Sequence, residues 1–89
     1  MIKYEVRFEK NARKSLKKID PQQSKIILSW INKHLVNSRD PGIFGRSLIG
    51  NHKGKWRYRV GDYRLICNIN DTTVTILLLE IGHRKDIYK

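Results

Sequence analysis

The 89-residue sequence predicts a small α+β domain: an N-terminal strand, a two-helix hairpin, then a three-stranded antiparallel meander, with both helices packed on one face of the sheet. Three observations predict it. Apolar residues recur at helical spacing between residues 9 and 35. From residue 55 to 81 they alternate with polar ones at the period of a strand. Between the two lies a stretch rich in glycine and proline. No repeat or linker composition divides residues 1–89, so the chain reads as a single domain with a modest core.

Ile2 to Phe8 reads as the first strand. From Glu9 to Ile19 the pattern turns helical, with Ala12, Leu16 and Ile19 on one stripe and Arg13, Lys14, Lys17 and Lys18 around the rest. Asp20-Pro21-Gln22-Gln23 is a helix start: Asp20 as N-cap, Pro21 in the first turn and Gln23 at the capping-box position. The second helix runs to about Leu35 and buries Ile26, Ile27, Trp30, Ile31, His34 and Leu35. Asn37 to Gly54 is mostly loop, its middle tucked onto the core by Phe44, Leu48 and Ile49. Strands 55–60 and 63–69 follow, joined by Gly61-Asp62 as a two-residue type II′ hairpin loop. Asn70-Asp71-Thr72 turns the chain into a last strand, Thr73 to Ile81. Alternation puts Val74, Ile76, Leu78 and Glu80 on the core side and Leu77 and Leu79 opposite, so this strand is central and apolar on both faces.

Lys and Arg total 19 against 8 Asp and Glu, a net charge of +11. Such a field captures polyanions, nucleic acid first among them. The single cysteine, Cys67, excludes an internal disulfide, falls on the apolar face of its strand and fits a reducing compartment. No stretch approaches the ~20 apolar residues of a membrane span and the N-terminus is no signal peptide, so the expectation is a cytoplasmic protein without membrane contact. No His, Cys or carboxylate spacing matches a metal site, and neither metal nor cofactor is expected.

The charge is concentrated in one run. In Lys55-Trp56-Arg57-Tyr58-Arg59-Val60 the apolar set faces one way and the cationic set the other. The two-residue loop makes Arg59 and Arg64 direct cross-strand neighbours on one face. Like charges so placed destabilise a sheet. They are positioned to hold an anion. The closing Gly82-His83-Arg84-Lys85-Asp86-Ile87-Tyr88 can add His83, Arg84 and Tyr88 to the same concavity. Arginine forks for phosphate oxygens, an imidazole and a phenol are the components of metal-free RNA cleavage, in which a 2′-hydroxyl attacks the adjacent phosphorus.

On the motifs WRxRxGxYR (Trp56 to Arg64) and GHRxxxY (Gly82 to Tyr88), the chain resembles the RelE/ParE superfamily of toxin–antitoxin toxins over essentially its whole length, and within it the RelE-like mRNA endoribonucleases. The resemblance implies a toxin that cleaves mRNA in the A site of the 70S ribosome without a metal, stops translation, and is neutralised by a cognate antitoxin. The toxin–antitoxin complex would in turn bind operator DNA. It carries functional roles over to Arg57, Arg59, Arg64, Arg84 and Tyr88, with Lys53, Lys55 and Lys85 as further RNA contacts. Better-known members have lysines where this chain has Arg57 and Arg59. An arginine stays protonated and cannot abstract a proton. His83 is then the expected base or acid, with Glu80 the weaker candidate. Tyr88 would stack on a substrate base or assist the leaving group. The rivals are a ParE-like toxin that inhibits DNA gyrase without nuclease chemistry and a member acting only as antitoxin partner and co-repressor.

Overall fold

The helices form where apolar residues fall one turn apart. The computed structural model describes residues 3–48, 54–83 and 85. In it α1 (Lys10–Lys18) buries Ala12 and half-buries Leu16, leaving its basic residues in solvent. Lys17 and Lys18 sit at the negative end of its dipole. It stops at Ile19, whose backbone is already extended, and Asp20 is held out of the helical region by the ring of Pro21.

The next helix, α2 (Pro21–His34), starts with proline at the position where no amide donor is needed. Asp20 occupies the N-cap position, but its carboxylate makes no capping bond. The clamp lies elsewhere: Ser24 Oγ donates to the Leu16 carbonyl at 2.7 Å, a group that α1 itself leaves unpaired. This bond closes the helical hairpin. Ile27, Ile31 and Leu35, four residues apart, are buried, and Trp30 and His34 are half-buried beside them. Ile26, expected on this stripe, is 50% exposed, because it lies about 100° round the helix from Ile27 and misses the sheet. After the helix Asn37 takes a left-handed conformation, φ 61°, and donates its N–H to the Tyr4 carbonyl.

The sheet has five strands in the order β1-β5-β4-β3-β2, where the sequence suggested an N-terminal strand and a three-stranded meander. The meander is present as β3 (Lys55–Val60), β4 (Tyr63–Asn70) and β5 (Thr75–His83), all antiparallel. β1 (Glu5–Phe8) pairs in parallel with the far side of β5, which is therefore central. β2 (Gly45–Ser47) lies within the expected loop and pairs with β3. Three residues are too few for alternation to be legible. β2 comes so close to β3 that a Cβ on Gly45 would stand 2.6 Å from the Arg57 carbonyl oxygen. β5 begins two residues later than expected, because Asn70 Oδ1 accepts from the Thr72 and Thr73 amides at 2.9 and 3.1 Å and extends the turn.

Both helices cover one face. Tyr58, Leu65, Cys67, Ile76, Leu78 and Ile81 of the sheet pack with Ala12, Ile27, Ile31 and Leu35. Full burial of a leucine or isoleucine contributes about 1.5–3 kcal/mol. Burial pushes the Cys67 thiol well above its usual range, as fits a core residue. Phe44, expected in this core, is instead 43% exposed on a short 3₁₀ turn, Pro41–Phe44. The buried Tyr58 hydroxyl donates to the Pro41 carbonyl at 2.7 Å and fastens that turn from below. Leu48 is half-buried, and Ile49 lies outside the described residues. No helix among the described residues is long and apolar enough to cross a membrane.

Candidate nucleic-acid interface

On the sheet face away from the helices, alternation collects arginines. The β3–β4 register is the one the hairpin loop predicts: Val60 opposite Tyr63, Arg59 opposite Arg64, Tyr58 opposite Leu65 and Trp56 opposite Cys67. Gly61 takes φ 59°, as the first position of a type II′ turn requires. Tyr58 and Leu65 point into the core, so Arg57, Arg59 and Arg64 point out of the other face. β2 extends the set, since Arg46 stands directly opposite Arg57. Four arginines thus form two like-charged cross-strand pairs, each unfavourable to the sheet by itself. Arg64 is only 7% exposed, and its Nη1 donates to the carbonyls of Tyr63 (3.2 Å) and Gly61 (3.4 Å). A buried guanidinium is expensive unless its donors are paired.

A β-bulge changes which residues of β5 join this face. Ile66 pairs with Glu80 and Cys67 with Leu78, so Leu79 is an extra residue in β5. Past the bulge the side chains exchange faces. Ile81, not Glu80, enters the core, at 4% exposure. Glu80, assigned to the core side by simple alternation, turns to the arginine face and into one row with Arg46, Arg57 and Ile66. It is the one acidic residue in β2–β5. The same bulge removes His83 from that face. His83 pairs with Tyr63 and meets its ring edge-on at a centroid distance of 5.7 Å, in the row that contains Val60. Its Nδ1 accepts the Lys85 backbone N–H at 3.2 Å. The sheet therefore does not bring His83 together with Arg57, Arg59 and Arg64. Gly82 fills the place opposite Arg64.

Of the other expected site residues, Lys55 is half-buried on the arginine face opposite Asn68, and Lys85 is exposed. Lys53, Arg84 and Tyr88 lie outside the described residues. Sequence reasoning did not place Arg46 on this face, hidden as it is in a three-residue strand, and put Glu80 on the opposite one. The signal for Glu80 was the run Leu77-Leu78-Leu79, which breaks strict alternation and leaves the core positions at 76, 78 and 81. At the sheet edge Ile43, Phe44, Gly45, Arg46, Arg57 and Arg59 line a pocket of about 290 Å³ that opens beside the arginine pairs. Among the described residues no three of His, Cys, Asp or Glu gather into a possible metal site.

The family described as the ParE toxin of type II toxin–antitoxin systems, parDE, matches residues 6–88. The chain belongs to the RelE/ParE superfamily of type II toxin–antitoxin toxins. Toxin RelG of Mycobacterium tuberculosis is 35% identical over 86 residues, covering 97% of each chain. A chain of the toxin–antitoxin complex RelBE2 of the same organism superposes with a TM-score of 0.84 at 32% identity, covering 93% of this chain and all of that one (100%). The archaeal RelE–RelB complex of Pyrococcus horikoshii shares the fold, with a TM-score of 0.72 at 24% identity over 97% of this chain and 99% of its own. The superfamily fold is the one described above: an N-terminal strand, two packed helices and a mixed sheet.

Proposed function

We propose that this toxin is an endoribonuclease that cleaves mRNA, in the ribosomal A site, and so inhibits translation. The observation that carries the reading is the arginine face: two directly opposed arginine pairs, with Glu80 turned onto the same face by the bulge. Cleavage by an internal 2′-hydroxyl needs a proton acceptor, cations for the charge that builds on the phosphoryl oxygens, and a donor for the leaving 5′-oxygen. Arg57, Arg59 and Arg64 hold the phosphate, Arg64 presented from a buried position. Glu80, across Ile66 from Arg57, takes the proton of the 2′-hydroxyl, a role no arginine can fill. Tyr88 is the candidate donor on the strength of the family resemblance, and His83 is left to the far side of the strand end. A cognate antitoxin neutralises the toxin, as the RelB–RelE-type complexes among its structural relatives suggest. An acidic or amphipathic partner complements a charge of +11.

A second reading is inhibition of DNA gyrase, favoured by the match to the ParE toxin family. One experiment separates the two. Purified protein is added to a translating-ribosome mixture with primer extension on the mRNA, and to a gyrase supercoiling assay in parallel. Cleavage at A-site codons supports the nuclease. Intact mRNA with blocked supercoiling sinks it.

A further inference from the structure

We propose that the 290 Å³ pocket at the β2 edge is a nucleotide subsite for single-stranded RNA, with Phe44 as a stacking platform for one base and Arg46 as a phosphate contact. The proposal rests on the RNA-cleaving reading and extends it beyond the reacting phosphate. Two consecutive large apolar residues, Ile43 and Phe44, are 69% and 43% exposed at the mouth of a pocket whose other walls are Arg46, Arg57 and Arg59. Folding gains little from them in that position. A bare aromatic ring beside guanidinium groups is the combination that binds single-stranded nucleic acid: every base has a face to stack, and every linkage a charge to neutralise.

The ring is also held in place. His34 meets Phe44 edge-on at 5.0 Å and itself stacks on Trp30 at 4.6 Å. The 3₁₀ turn carrying Phe44 is fastened by the Tyr58–Pro41 hydrogen bond, and Gly45 seats the following strand hard against β3. A platform ordered before binding spares the ligand that ordering cost. Arg46 continues the cationic row outward. From Glu80 through Ile66 and Arg57 to Arg46 is three strand spacings, about 14 Å. An RNA strand whose reacting phosphate lies at Arg57 and Arg64 therefore runs across the sheet towards Phe44. Three arginines and no carboxylate line the pocket, which suits an anionic ligand, and the exposed Phe44 ring beside them supplies the stacking face that a base uses.

The test uses a fluorescently labelled hexaribonucleotide carrying 2′-O-methyl groups, which block cleavage, and reads binding by anisotropy. Phe44→Ala weakens binding about tenfold, and Phe44→Tyr restores it to within about twofold of wild type. Placing an abasic residue along the oligonucleotide identifies one position whose loss weakens wild type but adds nothing to Phe44→Ala. Arg46→Ala lowers the slope of log K against log salt by about 0.7. Equal binding by wild type and Phe44→Ala, or no measurable binding by wild type, overturns the subsite. So does a Phe44→Ala variant that loses antitoxin affinity while keeping RNA affinity. Wild-type mRNA cleavage, measured separately, keeps the two readings apart. A subsite that fails while wild type cleaves leaves the nuclease standing, and Phe44-dependent binding without cleavage leaves the subsite standing alone.

Discussion

The two faces of the sheet are built from alternate residues of the same strands and serve opposite ends. On the helix side Tyr58, Leu65, Ile76 and Leu78 are fully buried and hold the fold together. On the other side Arg46 faces Arg57 and Arg59 faces Arg64, like charges that by themselves disfavour a sheet. β3 thus carries core residues on even positions and cationic ones on odd positions. A single bulged residue, Leu79, then decides which of Glu80 and His83 joins the second set. Which residues share a face is set here by register, not by residue type.

The largest expected effect tests that assignment. Glu80→Gln should lower mRNA cleavage by about 10²–10⁴-fold in a primer-extension time course, with stability changed by no more than about 0.5 kcal/mol. Full activity in Glu80→Gln alongside loss in His83→Gln would return the proton acceptor to the helix side and break the comparison. The mirror experiment is Leu65→Ala, one strand position from Arg64. It should cost about 2–5 kcal/mol in urea denaturation, and the salt dependence of RNA binding should persist in whatever fraction stays folded. A changed salt slope would mean that the two faces are not separable.

Arg59→Glu sharpens the trade-off by setting opposite charges against each other across the hairpin. Stability should rise by about 0.2–1 kcal/mol while RNA affinity falls. Loss of both would show that Arg59 also supports the fold. A further effect, of similar size, concerns the buried side alone. The Cys67 thiol, raised by burial, stays protonated when folded, whereas in the unfolded chain it ionises above about pH 8.5. Its contribution is intact below that pH and is lost as pH rises beyond it. Between pH 9 and 10 wild type should therefore lose roughly 1 kcal/mol more stability than Cys67→Ala. Parallel curves for the two proteins would show the thiol to be exposed to solvent.

Most of the fold was legible because its elements are long enough to show a period. The helical stripe Ile27, Ile31, Leu35 and the β3–β4 register with its Arg59–Arg64 pair could be read directly from spacing. What escaped was short or irregular. β2 has three residues, too few for a pattern, and with it went Arg46 and the exposed placement of Phe44. The resemblance carried by the Trp56–Arg64 and Gly82–Tyr88 motifs pointed to the right superfamily, because those motifs record residue types in order. It could not say which way each side chain points.

By itself the sequence determined the basic field, the α+β class, the hairpin register and the cationic face of β3, since each depends on composition or on contacts close along the chain. Tertiary structure alone decided that β1 lies beside β5, that β2 brings Arg46 opposite Arg57, and that Glu80 rather than His83 shares the arginine face. The physical reason is common to all three. Pairing between distant strands, and the one-residue bulge it accommodates, is settled by how the whole sheet packs against α1 and α2. A single step in register exchanges the two faces for every residue that follows.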